Sequence, residues 1–223
     1  MKQSTRYKRR RLYALAQVRR AERWNGYTNL DEYHQGFYEC NHVSPYTLGA
    51  SNVDADVLLL LQDWSSRDWL LKNRSYEVRT LGHEPKLATN KKVQEVLLKH
   101  LRVRLCDTYA TNLFPLIKPG PLSTKIRMSH LVLAARRYAI PQIRRVSPRL
   151  AVCLGLDTYN AVRRARRRPP YKFIRNALIS SVRLGRTTVV CLPHPGQLGQ
   201  MNVRRYTKHT LDYYWRRIAR RHK

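Results

Sequence analysis

The sequence predicts an α/β fold: three layers in αβα order around a central four-stranded, mainly parallel sheet, with basic helices at the N- and C-terminal ends. Three observations predict it. Four short apolar runs have strand length and are bounded by turn or breaker residues. Segments with helical spacing of apolar residues lie between those runs, so strands alternate with helices and right-handed crossovers make the sheet parallel. Both ends of the chain carry arginine-rich helical patterns.

From Tyr7 to Trp24 the run YKRRRLYALAQVRRAERW puts Leu12, Leu15, Ala16 and Val18 near one face and arginines elsewhere, which predicts a basic amphipathic helix. Residues 25–54 are rich in Gly, Asn, Tyr and Pro without a sustained period and predict loop with short pieces of structure. DVLLLLQ, Asp56 to Gln62, predicts a strand buried on both faces. Asn90 to Leu101 predicts a helix, with Thr89 or Asn90 as its cap. CDTYATNLF, Cys106 to Phe114, predicts a second strand ended by Pro115. Ser129 to Arg145 is helical in pattern, and Pro141 should end or kink it. LAVCLG, Leu150 to Gly155, predicts the third strand and Asp157 to about Arg168 the next helix. A fourth apolar run spans Thr187 to Leu192, and Val203 to Arg221 returns to a basic helix. RRARRRPP, Arg163 to Pro170, is a dense positive patch.

The chain has 223 residues, with 44 Lys and Arg against 14 Asp and Glu, a net charge of +30. So large an excess repels itself in the compact state, and phosphate neutralisation with counterion release offsets that cost, so nucleic acid is the natural partner. A solvated, ribosome-like basic protein is the bland alternative, opposed by the apolar strands, which require a core. The length predicts one domain, residues 55–223, with residues 1–54 as a basic extension packed on it, in a monomer. Cys40, Cys106, Cys153 and Cys191 are too scattered for a CxxC-type metal or dithiol site, so they read as reduced and mostly packed. The N-terminus lacks the apolar core of a signal peptide and no run reaches the ~20 apolar residues of a membrane span, so a cytoplasmic, nucleoid-associated protein of prokaryotic or viral type is expected.

In open parallel sheets ligands bind beyond the carboxyl ends of the strands. There the sequence places Gln62, Asp63 and Trp64 after the first strand, Thr111 and Asn112 at the end of the second, Gly155 after the third, and Pro193, His194, Pro195 and Gly196 after the fourth. Each alone is more often a cap or turn former. Together an acid, a carboxamide and an imidazole suit cleavage of a bond between a sugar and a base. That reaction develops positive charge on the sugar and negative charge on the departing base. Asp63 would hold water or counter the cation, Asn112 would meet a base edge, and His194 would donate to the oxygen that gains charge.

Four blocks, VLLLLQDW, YATNLFPL, LAVCLGLDTYNAV and LPHPGQLGQMN, occur in that order and resemble the uracil-DNA glycosylase superfamily. The first resembles the strand and water-activating loop that one branch writes GQDPY, and the last resembles the HPSPLS loop. The resemblance implies Asp63 and His194 as catalytic residues, Asn112 as the base-reading residue, and Leu198 as a wedge entering the base stack beside Gly196 and Gln197. Gln62, Trp64, Ser65 and Tyr76 become base-contact candidates, with Trp69 the other candidate for the stacking aromatic; Arg204 and Arg205 become backbone contacts. Trp64 and Ser65 replace the family's Pro and Tyr, and the small Ser65 opens space for a base larger than uracil.

The resemblance implies a monofunctional DNA glycosylase that acts on a flipped-out base without metal or other cofactor, and the iron–sulfur branch's cysteine pattern is absent. Thymine or a hypermodified pyrimidine of phage DNA, removed in antiviral defence, is the leading substrate reading. Uracil repair and a non-catalytic nucleic-acid-binding module are the alternatives. A two-metal nuclease lacks the clustered carboxylates, since the loop of Asp63 offers only Asp68, which reads better as a helix cap.

Overall fold

The computed structural model describes residues 3–222, apart from the side chains of Leu198 and His222. The chain opens with α1 (Thr5–Ala21), started by the Ser4 hydroxyl, which accepts the Tyr7 N–H. Short 3₁₀ turns follow at Leu30–Glu32, His34–Gly36 and Pro45–Gly49. Then come β1 (Val57–Leu61), α2 (Arg67–Lys72), α3 (Tyr76–Leu81), α4 (Ala88–Val96) with a π turn at Leu97–Leu101, and β2 (Tyr109–Asn112). Helices α5 (Met128–Ala134) and α6 (Ile140–Val146) lead to β3 (Leu150–Leu154) and α7 (Leu156–Ala165). The chain ends with α8 (Ile174–Ala177), β4 (Ser181–Leu184), β5 (Thr187–Leu192), α9 (Gln197–Tyr206) and α10 (Leu211–His222).

The sheet has the order β2-β1-β3-β5-β4. The four expected strands are parallel, and β4, which sequence patterning did not reveal, adds an antiparallel fifth at the edge. Alternate residues of each strand face opposite layers. Leu58, Leu60, Ala151, Cys153, Val189 and Cys191 pack with α5, α6 and α7 through Ala134, Ile143 and Val162. Leu59, Leu61, Val152, Leu154, Val190 and Leu192 pack with α4 and α10 through Val93, Val96, Trp215 and Ile218. Each fully buried Leu or Val contributes about 1.5–3 kcal/mol, which is why these runs tolerate no polar face.

Several local expectations are corrected. Pro141 does not end its helix: the α pattern gives way to a π turn at Ala135–Ala139 just before it, and α6 restarts with the proline in its first turn, where the missing N–H is harmless. Leu87 is the N-cap of α4, so Thr89 and Asn90 lie inside the helix; Asn90 instead accepts the Tyr46 hydroxyl and donates to the Glu84 carbonyl. The single C-terminal helix is two, broken at 207–210 where the Thr207 hydroxyl donates to the Val203 carbonyl.

The basic ends are less solvated than charge counting implies. Arg19 of α1 is fully buried, with its guanidinium on both Glu39 oxygens at 2.6 Å and on the carbonyls of Cys40 and His42. Lys8 reaches Asp54 at 2.8 Å and the carbonyls of Val53 and Val146. Arg163, from the dense arginine run, is buried over the Tyr171 ring and bonds the Pro169 carbonyl. Cys40, Cys153 and Cys191 are buried free thiols and Cys106 is exposed.

Candidate active site at the carboxyl ends of the strands

The sheet order fixes which side chains can meet. β1 lies between β2 and β3, and Leu61 pairs with Asn112, so the residues that leave β1 emerge beside Asn112. Pairing continues past the strands: the Leu113 and Phe114 N–H groups donate to the carbonyls of Leu61 and Gln62, at 2.8 Å each. This holds the backbone just ahead of Asp63. β5 lies one strand further on, and Gly155 after β3 has φ +105, a conformation that favours glycine; a Cβ there would sit 3.9 Å from His194 Cβ. The end of β3 thus lies in ordinary contact distance of His194.

Both oxygens of Asp63 are engaged. Gln62 Nε2 donates to Oδ1 at 3.1 Å, and Lys118 Nζ donates to Oδ2 at 2.7 Å. Lys118 is buried, and its ammonium also donates to the Leu122 carbonyl at 2.6 Å. Its backbone is tied down by Arg67 N–H to Lys118 O, and the neighbouring Ile117 exchanges two backbone hydrogen bonds with Thr28. Sequence reasoning missed this residue, since a lone lysine in a loop carries no periodic or motif signal.

His194 is held from two sides. The Gly196 N–H donates to Nδ1 at 3.1 Å, so the neutral ring carries its proton on Nε2 and presents a donor there. Burial lowers its pKa and the charge of Asp63 partly raises it back, so the imidazole is neutral near pH 7. α9 starts against this loop. A Cβ on Gly199 would fall 2.1 Å from the His194 carbonyl oxygen, and Gln200 Nε2 donates to the Pro195 carbonyl at 2.6 Å. Only glycine at position 199 permits that approach.

Asn112 is fully buried as the last residue of β2. Its Oδ1 accepts the Ser44 hydroxyl at 2.5 Å, while its Nδ2 has no partner. Ser44 also went unnoticed in the sequence, lying in the aperiodic stretch before β1. Beside it, Tyr46 is stacked with His83, ring centroids 5.2 Å apart.

Asp63 is thus bonded to Gln62 and close enough to His194 to shift its pKa, while Asn112 ends the strand beside the one that leads into Asp63. The other candidates are placed differently. Trp64 turns toward α3, where its indole N–H donates to the Gly82 carbonyl at 2.7 Å and its ring meets Tyr38 edge-on. Ser65 is buried. Tyr76 is 68% exposed with its ring edge-on to Phe37, and Trp69 is half-buried against the cluster around Leu30, Tyr38 and Ile117. Gly196 and Gln197 lead into α9, on which Arg204 and Arg205 are exposed; the Leu198 side chain lies outside the described residues. Asp68 sits in the first turn of α2, whose N-cap is Ser66. Among the described residues no group of three or more His, Cys, Asp or Glu could hold a metal ion, and no helix is long and apolar enough to cross a membrane.

A family model, the uracil DNA glycosylase superfamily, matches residues 61–218, which begin at the end of β1 and include Asp63, Asn112 and His194. The chain belongs to the uracil-DNA glycosylase superfamily. Members of this superfamily are in general DNA N-glycosylases, hydrolases that remove bases from DNA. None of the curated proteins compared matches the chain. The αβα architecture with its mainly parallel sheet is that of the superfamily, and the β2, β1 and β5 ends that carry Asn112, Asp63 and His194 lie inside the matched segment.

Proposed function

We propose that the protein hydrolyses the N-glycosidic bond of a pyrimidine flipped out of DNA, leaving an abasic site. The observation that carries this reading is the pairing of a carboxylate with a neutral imidazole whose proton faces away from its backbone anchor, at the ends of two strands that flank β3. Bond cleavage leaves positive charge on the sugar and negative charge on the base. The Asp63 carboxylate, kept in place by Gln62 and Lys118, orients the attacking water and opposes the sugar cation. The Nε2–H of His194 donates to the base oxygen that gains charge, and a neutral donor suits that task without a prior protonation. Asn112 meets the edge of the base. The exposed arginines supply phosphate contacts that position the duplex without reading sequence.

A base larger than uracil is the second reading, favoured by a serine at position 65, and removal of modified phage bases is the role it would serve. Duplexes of different base composition, natural and phage-derived, are to be incubated with the protein and the released base identified by mass spectrometry. Asp63→Ala and His194→Ala should each lower release by about 10²–10⁴-fold while DNA binding persists. Undiminished release by both variants would sink the glycosylase reading, and salt-dependent binding without any abasic product would favour a non-catalytic module.

A further inference from the structure

The π turn after α4 and the last helix, α10, enclose a cleft that the proposed chemistry does not use. Its volume is about 310 Å³, and it is lined by Lys99, His100, Arg102, Arg216, Ala219 and Arg220. Arg216 and Arg220 are exposed and lie one turn apart on α10, with the small Ala219 between them. Arg102 closes the π turn in the left-handed conformation, φ +59, an uncommon backbone for so long a side chain. The carboxylates bonded to this cluster are already shared. Asp212 accepts Lys99 Nζ at 2.8 Å, meets His100 Nε2 at 3.0 Å and lies 3.7 Å from Lys92, which donates to Glu95 at 2.7 Å. Asp107, farther along the chain, is held by Arg104 at 2.8 Å. Among the described residues the guanidinium groups of Arg102, Arg216 and Arg220 have no partner. Like charges gathered around one concavity repel each other, and an anion bound between them offsets that cost.

The cleft and the candidate active site lie at different ends of the sheet. A Cβ on Gly196, beside His194, would fall 2.9 Å from Thr89 Oγ1, so α4 starts at the active-site end. Lys99, ten residues beyond Thr89, is then about 15 Å farther along the helix axis. β2 starts at Tyr109 and runs back to Asn112, which places the cleft toward the amino ends of the strands.

We propose that this cleft is a second phosphate-binding site, one that holds the backbone of another DNA segment while the strand-end face holds the first. A duplex lying against the strand ends reaches the opposite end of the sheet only by wrapping the molecule, so a separate segment is the occupant. DNA is the polyanion on which the superfamily acts. Apart from Ala219 no apolar side chain lines the cleft, which disfavours a lipid surface. Planar guanidinium groups meet phosphate oxygens in pairs, and such contacts carry no sequence preference. With both ends occupied the protein bridges two segments and can pass from one to the other without release.

The test is capture of a second duplex. Full-length protein is bound to a short immobilised duplex, washed, and offered a dye-labelled duplex of unrelated sequence. The wild type should retain the labelled duplex, less so as salt rises. Combining Arg102→Gly, Arg216→Ala and Arg220→Ala should lower that retention at least about tenfold, while affinity for the immobilised duplex changes less than about twofold. Glycine suits the left-handed position, so loss of Arg102 does not strain the turn. Arg216→Gln with Arg220→Gln preserves helix propensity and serves where the triple variant does not fold. Retention equal to that of the wild type by whichever variant folds overturns the proposal. So does capture that tracks a protein dimer seen by sedimentation without DNA. Stronger retention of RNA than of DNA overturns DNA as the occupant. The inference needs DNA at the strand-end face but no chemistry there: loss of capture with excision intact removes it alone, and capture without excision removes only the glycosylase reading.

Discussion

Asp63 and Lys118 form an ion pair with Oδ2 and Nζ 2.7 Å apart, the lysine side chain 5% exposed and the carboxylate 13%. A charge so far from water is tolerated because each side chain finds further partners: Gln62 on the carboxylate, the Leu122 carbonyl on the ammonium. The pair couples the end of β1 to the segment after β2, so the acid expected to face the sugar is located by a residue beyond the strand beside it.

Removing one partner of such a pair leaves the other uncompensated. Lys118→Met should destabilise the protein by about 3 kcal/mol and lower excision at least tenfold. Asp63→Asn combined with Lys118→Met should cost less stability than the two single changes added together, because they share one interaction. Urea unfolding of the four proteins of this cycle measures the coupling, and strict additivity would show that the pair does not act as a unit.

Acid should weaken both stability and activity through histidine. Burial lowers the pKa of His194, of His83, and of His42, where the Arg19 charge lowers it further. The unfolded chain, with histidine near about 6.5, then binds protons that the folded one does not. Stability from these groups is complete above that value and is lost as pH falls toward the lower folded pKa values. The excision rate should hold steady through pH 7 and fall on the acid side of about 6.5, as Nδ1 takes a proton and displaces the Gly196 N–H. A rate that instead rose toward pH 5 would show that the imidazolium is the active form.

Gly199→Ala should separate site geometry from folding. The new methyl would meet the His194 carbonyl oxygen and carbon at 2.1 and 2.8 Å, both backbone atoms, so the loop or the start of α9 must move. Displacement of about 1 Å at a reacting group can cost about 10²-fold. Excision should fall on that scale while the far-ultraviolet circular dichroism spectrum is preserved.

Arg204 and Arg205 are exposed on α9, which begins three residues after His194. Replacing each by alanine should weaken DNA binding alike on all sequences and reduce the slope of log affinity against log salt by about 1 per residue. At saturating protein and low salt, excision should be unaffected. An unchanged slope would place the phosphate contacts elsewhere on the basic surface.

The strands were legible because VLLLL at 57–61 and LAVCL at 150–154 are buried on both faces, and two-sided burial writes an unbroken apolar run. SVRL at 181–184 escaped notice because an edge strand alternates buried and exposed residues, and four residues are too few to show a period. Asp63, Asn112 and His194 stood out because they follow those runs directly. Ser44, Lys118 and the Tyr46–His83 stack reach the same neighbourhood from irregular segments, and only tertiary packing brings them in. Charge counting failed at Arg19 and Arg163 for a related reason, since a guanidinium inside the protein is spelled like one outside it.

The β4–β5 hairpin bears on the order in which the molecule is assembled. Gly185 and Arg186 alone join its strands, with Gly185 at φ +61, the backbone that matches a tight turn to strand twist. Such a hairpin closes on the order of microseconds. The parallel pairs β1–β2, β1–β3 and β3–β5 each join distant stretches of chain and wait on the closure of long loops. The strand leading into His194 is thus the one that can find a partner earliest during folding, giving the later strands an edge on which to dock.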